Sequence, residues 1–112
     1  MNTIHILSES AAIGMRLRDI LYQAGFTDIT VSDLKQSAGK AQTGLLIIYA
    51  KSHISELMQH STDRRGSVIL LLNPDSYAMY RDRAGAAGIT LLLMPVAPFV
   101  LLDAVQEAIA IS

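Results

Sequence analysis

The chain has 112 residues, 51% of them hydrophobic and 17% charged, with a formal net charge of -1. That composition excludes a disordered tail, which needs low hydrophobicity and high net charge, and it offers no global basic field for nucleic acid or membrane. No cysteine is present, so a disulfide scaffold, a thiolate metal site and a cysteine nucleophile are excluded.

The first apolar segment, Thr3-Ile4-His5-Ile6-Leu7, is short and β-branched and reads as a buried strand. Ser10 follows as a helix N-cap, because its hydroxyl can accept from an otherwise unpaired backbone N–H. Ile13, Leu17, Ile20, Leu21 and Ala24 then fall at helical spacing on one face. A helix over Ala11–Ala24 is expected, with Gly25 at the left-handed exit. Phe26–Val31 reads as a second strand. Leu34–Gln42 places Leu34, Ala38 and Ala41 on one helical face, but Gly39 interrupts it, so a short or irregular helix is expected.

Leu45–Tyr49 is a third buried strand. Ser52–Ser61 is an expected helix with Ile54, Leu57 and Met58 inward. Asp63-Arg64-Arg65-Gly66 is a polar turn, and Ser67–Leu72 a fourth strand. Asn73-Pro74-Asp75-Ser76 breaks the run and caps a helix that continues through Ala87 and ends at Gly88, with Tyr77, Tyr80, Ala84 and Ala87 inward. Ile89–Leu93 is a fifth strand. Pro98–Ile111 is a final helix with Leu101, Leu102, Val105, Ala108 and Ile109 inward. Apolar strands alternating with helices specify a parallel α/β sheet covered on both faces, because each parallel crossover needs a helix. The functional crevice of such a sheet lies outside the carboxyl ends of its strands. The residues to inspect are therefore Ser8–Ser10, Tyr49–Ser52, Leu72–Asp75 and Met94–Pro98. The longest apolar runs fall far short of the ~20 residues of a spanning helix. The first residues, MNTIHILSES, lack the basic and long apolar regions of a signal peptide. A soluble, cytoplasmic single domain is the expectation.

Several phrases carry a family likeness. "HILSES", "LRDILYQAGF", "LLIIYA" and "AGAAGITLLLMPVAPFVLLDAVQEAI" together resemble the receiver domain of two-component response regulators along essentially the whole chain. The resemblance implies a flavodoxin-like, three-layer α/β/α fold with a five-stranded parallel sheet in the order 2-1-3-4-5. It also implies where receiver chemistry would sit. Receivers hold a magnesium ion on carboxylates beside an aspartate that accepts a phosphoryl group. Ser8 and Glu9 stand at the acidic pair, Tyr49 at the phosphoacceptor, Leu72 at the hydroxyl residue ending the fourth strand, and Met94 at the lysine before Pro95. Leu91 stands at the aromatic switch position. The resemblance is thus to a degenerate pseudo-receiver, which acts without phosphorylation as a regulatory protein-interaction module and not as an enzyme. Tyr49 is expected to close the emptied pocket, and Met94-Pro95 to keep the cis bond of the family's turn. Receivers dimerise or signal through their fourth helix, fifth strand and fifth helix, and the matching positions are Tyr80, Arg83, Leu92, Val100 and Asp103. A protein partner or a homodimer is implied. So is the possibility of an RNA-binding antiterminator or DNA-binding output domain outside this chain, with no direct nucleic-acid contact by this one. The alternative class is a genuinely phosphoaccepting or small-ligand-sensing flavodoxin-like domain using the crevice around Ser8, Tyr49 and Leu72.

Other constellations carry blander readings. His53, Glu56 and His60 fall at i, i+3 and i+7, a spacing that can ligate zinc, but a solvated polar face is favoured and no metal or cofactor is expected. His5 reads as a structural, hydrogen-bonded histidine. Gly39-Lys40 is not a phosphate loop, because Leu34 stands where that motif needs a glycine. Arg64, Arg65, Arg81 and Arg83 read as solvated surface. Met15, Tyr22 and Met79 are left over once the inward stripes are assigned, which makes them candidate contact residues.

Overall fold

Each apolar run of the sequence becomes a strand of one parallel sheet. The computed structural model describes residues 3–33, 44–61 and 67–111. In chain order the elements are β1 (Ile4–Ser8), α1 (Ala11–Gln23), β2 (Ile29–Asp33), β3 (Leu45–Tyr49), α2 (Ile54–Ser61), β4 (Val68–Leu72), α3 (Pro74–Ala87), β5 (Thr90–Leu93) and α4 (Pro98–Ile111). The sheet has five strands in the order β2-β1-β3-β4-β5, all parallel. This is the expected flavodoxin-like α/β arrangement. The short helix expected at Leu34–Gln42, Gly39-Lys40, and the turn with Arg64 and Arg65 lie outside the described residues.

Strand alternation divides the core between two layers. Ile4, Ile6, Leu45, Ile47, Tyr49, Ile69 and Leu71 face Leu17 and Leu21 of α1 and Leu101, Val105 and Ala108 of α4. Leu7, Leu46, Ile48, Ala50, Leu70 and Leu72 face Ile54 and Met58 of α2 and Ala84 of α3. β3 and β4 are buried at every position, whereas β2 and β5, at the two edges, are not. Tyr77, Tyr80 and Ala87 of the expected α3 stripe pack half-buried against the second layer.

The differences from the sequence reading have local causes. β2 begins at Ile29, not Phe26, because the chain before it finishes the helix exit. The Phe26 N–H returns to the Leu21 carbonyl at 3.1 Å, Gly25 takes φ 103, and Asp28 lends its carbonyl to Ile4 N–H at 2.9 Å. Ala24, expected inward, is the exposed C-cap of α1. α2 starts at Ile54, not Ser52, since His53 sits at φ 55, outside the helical region. Gly88 ends α3 at φ 74, as its place in the sequence implies. Met94-Pro95 is cis. Among the described residues, no helix is long and apolar enough to cross a membrane.

Candidate functional site at the carboxyl edge of the sheet

Parallel register brings the ends of β1, β3 and β4 together. Ser8 is paired with Tyr49, and Tyr49 with Leu71. Glu9 N–H donates to the Tyr49 carbonyl at 3.1 Å, and Met94 N–H to the Leu72 carbonyl at 2.8 Å. The main chain therefore gathers Ser8, Glu9, Tyr49, Leu72 and Met94 at one edge, as the sequence reading required. Their side chains do different things there.

Tyr49 lies on the layer of α1 and α4 and is only 2% exposed. Its ring belongs to the cluster of Ile47, Leu71 and Val96, against which Met94 also packs. Its hydroxyl donates to Asn73 Oδ1 at 3.4 Å. Asn73 was legible only as a helix cap. It is the N-cap residue of α3, but its side chain makes no capping hydrogen bond. The cap role is carried by its carbonyl, which accepts from Tyr77 N–H at 2.9 Å. The side chain is left for the tyrosine, a pairing that depends on β3 and β4 being neighbours.

Ser8 is 5% exposed, and its hydroxyl is satisfied locally. The Oγ donates to the Ser10 carbonyl at 2.6 Å and accepts from Ser10 N–H at 3.1 Å. Ser10 in turn caps α1 through Ile13 N–H at 3.3 Å, as expected. The space beside Ser8 is tight as well. A Cβ at Gly14 would stand 3.2 Å from Ser8 Cβ and 3.2 Å from Val31 Cγ1, so this glycine lets α1 approach the sheet.

Glu9 turns away from Ser8 and Tyr49. Its carboxylate accepts from Lys51 N–H and, at 3.0 Å, from the Ser52 hydroxyl. It therefore ties the end of β1 to the segment joining β3 and α2. Sequence reasoning found Glu9 but not these partners, which come from a loop more than forty positions away along the chain and carry no motif. Leu72 faces the opposite layer, beside Ala50 and Ile48. The β4 end thus presents Asn73, one position later, toward Tyr49. Pro95 is exposed. Carboxylate, phenol, amide and hydroxyl at this edge are all engaged within the chain.

No protein-family profile, no curated protein and no solved structure matches the chain. What it does must therefore be argued from its own residues.

The expected contact positions are spread over α3, β5 and α4. The Arg83 guanidinium lies 5.5 Å from the centroid of the Tyr80 ring. The Ser55 hydroxyl accepts from Arg83 Nη1 at 3.0 Å and donates to the Tyr80 hydroxyl at 3.3 Å. Tyr80 and Arg83 are thereby braced against α2. Leu92 is half-buried against the first layer, while Val100 and Asp103 are exposed on α4. Leu91 packs against the second layer. Met15, Tyr22 and Met79 are exposed, as their positions off the inward stripes imply. So are Leu93 and Phe99, which the sequence reading did not single out.

The histidines sort by geometry. His5 Nδ1 lies 2.8 Å from Thr30 Oγ1, across the β1–β2 pair. His53 precedes α2, and the side chain of His60 lies outside the described residues. The His53 Nδ1 lies 3.6 Å from Glu56 Oε1 in an exposed pair, of a kind worth little in water. Among the described residues, no three histidine or acidic side chains are placed to hold a metal ion together.

Proposed function

We propose that the protein is a receiver-like regulatory module that works by contact with another protein and not by accepting a phosphoryl group. The observation that carries this reading is the state of Tyr49. It occupies the position that corresponds to the acceptor aspartate in the receiver resemblance, fills it with a ring that is 2% exposed, and has its hydroxyl donated to Asn73. Phosphoryl transfer needs a nucleophile open to in-line attack and a cation that neutralises the developing charge. A buried phenol packed on Ile47, Leu71 and Val96 is a poor nucleophile for that step.

The neighbouring groups support the same reading. Ser8 is satisfied by Ser10, the Glu9 carboxylate holds Lys51 and Ser52, and Met94 adds apolar packing where a receiver places a lysine. The 2-1-3-4-5 sheet is the frame a receiver uses, and here its carboxyl edge is built for packing. The module's output would then be a surface, not a reaction.

The test is incubation with a small-molecule phosphodonor and magnesium, followed by intact mass measurement. The expected result is an unchanged mass. A stoichiometric covalent phosphate adduct, acid-labile or acid-stable, overturns the proposal.

A further inference from the structure

Three exposed residues, Lys51, Ser52 and His53, run between two buried ones. Ala50, before them, is fully buried and donates its N–H to the Leu71 carbonyl at 3.5 Å. Ile54, after them, is buried in the layer of α2 and α3. The first turn of α2 is fixed as well, because the Ser55 hydroxyl is held by Tyr80 and Arg83 of α3. A rearrangement here is therefore confined to Lys51, Ser52 and His53.

Two preferences collide in that segment. The sequence asks for a helix from Ser52. The structure delays it to Ile54 and sets His53 at φ 55. Among the described residues, His53 is the only non-glycine with a positive φ. A side chain in the left-handed region costs free energy that the surroundings must offset. Glu9 supplies the offset, since its carboxylate accepts from the Lys51 N–H and the Ser52 hydroxyl and so holds both residues in the turned-out path.

We propose that Lys51, Ser52 and His53 form a two-state strap. In the strapped state, the one in the structure, Glu9 holds the segment and His53 bears the left-handed strain. In the released state His53 crosses to the ordinary helical region, α2 begins at Ser52, and the Glu56 N–H gains the Ser52 carbonyl. The rest of the helical ladder is already in place, because the Leu57 N–H donates to the His53 carbonyl at 3.1 Å. One residue thus acts as the hinge. The exchange is close to balanced: two hydrogen bonds to a carboxylate are set against relief of strain and one helical bond gained. The strap decides what the carboxyl edge of the sheet offers. Strapped, Glu9 is consumed within the chain; released, it presents a free carboxylate at the end of β1. The device does not depend on the receiver reading, and the phosphodonor result leaves it untouched.

The test is nuclear magnetic resonance and amide exchange of the full chain over residues 51–57. Glu9→Ala removes the strap. It is expected to turn His53 to a negative φ, read from the strength of its own HN–Hα cross-peak, and to give the Glu56 amide protection that it lacks in the wild type. His53→Gly removes the left-handed penalty and disfavours the helix, so the Lys51 amide is expected to exchange about tenfold more slowly than in the wild type. A glycine in an ordinary loop acts the other way, by enlarging the freedom of the chain. If Glu9→Ala frees the Lys51 amide with no protection gained at Glu56, the segment merely frays and the proposal is overturned. An unchanged or faster Lys51 rate in His53→Gly overturns it too. That variant alters only an exposed residue and decides the matter even if Glu9→Ala fails to fold.

Discussion

Replacing Tyr49 by aspartate recreates the residue type of a phosphoacceptor at the same point of the sheet, and the structure says what that should do. The side chain is 2% exposed and packed with Ile47, Leu71 and Val96. Truncating a buried aromatic to a small side chain costs about 3–5 kcal/mol through lost transfer energy and the cavity left behind. The new carboxylate adds to this. It would have Asn73 nearby, and a buried charge without a cationic partner either neutralises or admits water, at a further cost of about 1–3 kcal/mol. The sum, roughly 4–8 kcal/mol, rivals the whole stability of a typical small domain, about 5–15 kcal/mol. Tyr49→Phe is the control. It removes one hydrogen bond of 3.4 Å to a half-buried amide that water can reach, so its cost is expected to stay within ~1 kcal/mol. Urea unfolding followed by circular dichroism measures both variants, with the slope checked for a change in the denatured state. An aspartate variant within ~1 kcal/mol of wild type would show that Tyr49 does not fill the edge. A phenylalanine variant costing as much as the aspartate would show that the hydroxyl, not the ring, holds it.

Two glycines separate backbone strain from collision. Gly88→Ala meets nothing within 4 Å and keeps only the penalty of φ 74, an expected loss of about 1 kcal/mol; Gly44→Ala combines φ 84 with a Cβ placed 2.5 Å from the Thr3 carbonyl oxygen and is expected to cost at least ~2–3 kcal/mol more by thermal unfolding. Equal losses would remove the close approach of Gly44 to Thr3 from the account. Glu9→Ala frees the Lys51 N–H and the Ser52 hydroxyl, so the Lys51 amide is expected to exchange faster while amides of β4 do not change; Glu9→Gln, which keeps an acceptor, should restore part of the protection. An unchanged Lys51 rate in Glu9→Ala would break the link between β1 and the loop.

What the sequence made legible follows from how much each feature depends on neighbours in space. β3 matches its run residue for residue because five apolar residues between Gly44 and Ala50 admit little else, and α4 is fixed by Pro98 and a long inward stripe. The end of α3 was readable from Gly88 itself, while β5 begins at Thr90, one residue later than the expected Ile89. Side-chain direction at the sheet edge was not. A strand buried on both faces is apolar throughout, and an unbroken run such as Val68–Leu72 hides its own alternation. That is why Leu72 was grouped with Tyr49, although it faces the other layer and Asn73 takes its place. The start of α2 was set too early for a related reason. Ser52 reads as its first residue, but His53 leaves the helical region at φ 55 and the Ser52 hydroxyl is engaged by Glu9, a partner that only the approach of β1 to β3 makes available.

The position of α4 has a consequence for the growing chain. α1 and α4 pack on one another and on the same side of the sheet, yet they are the first and last helices described. Ile4, Ile6, Ile47, Ile69 and Leu71 all need that side covered, and α1 alone reaches only part of it. As the polypeptide leaves the ribosome, the opposite side can be roofed by α2 and α3 in turn, while this one stays open until Leu101, Val105 and Ala108 emerge. Nascent chains that stall before α4 would display an oily half-sheet, the kind of surface chaperones bind and aggregates grow from.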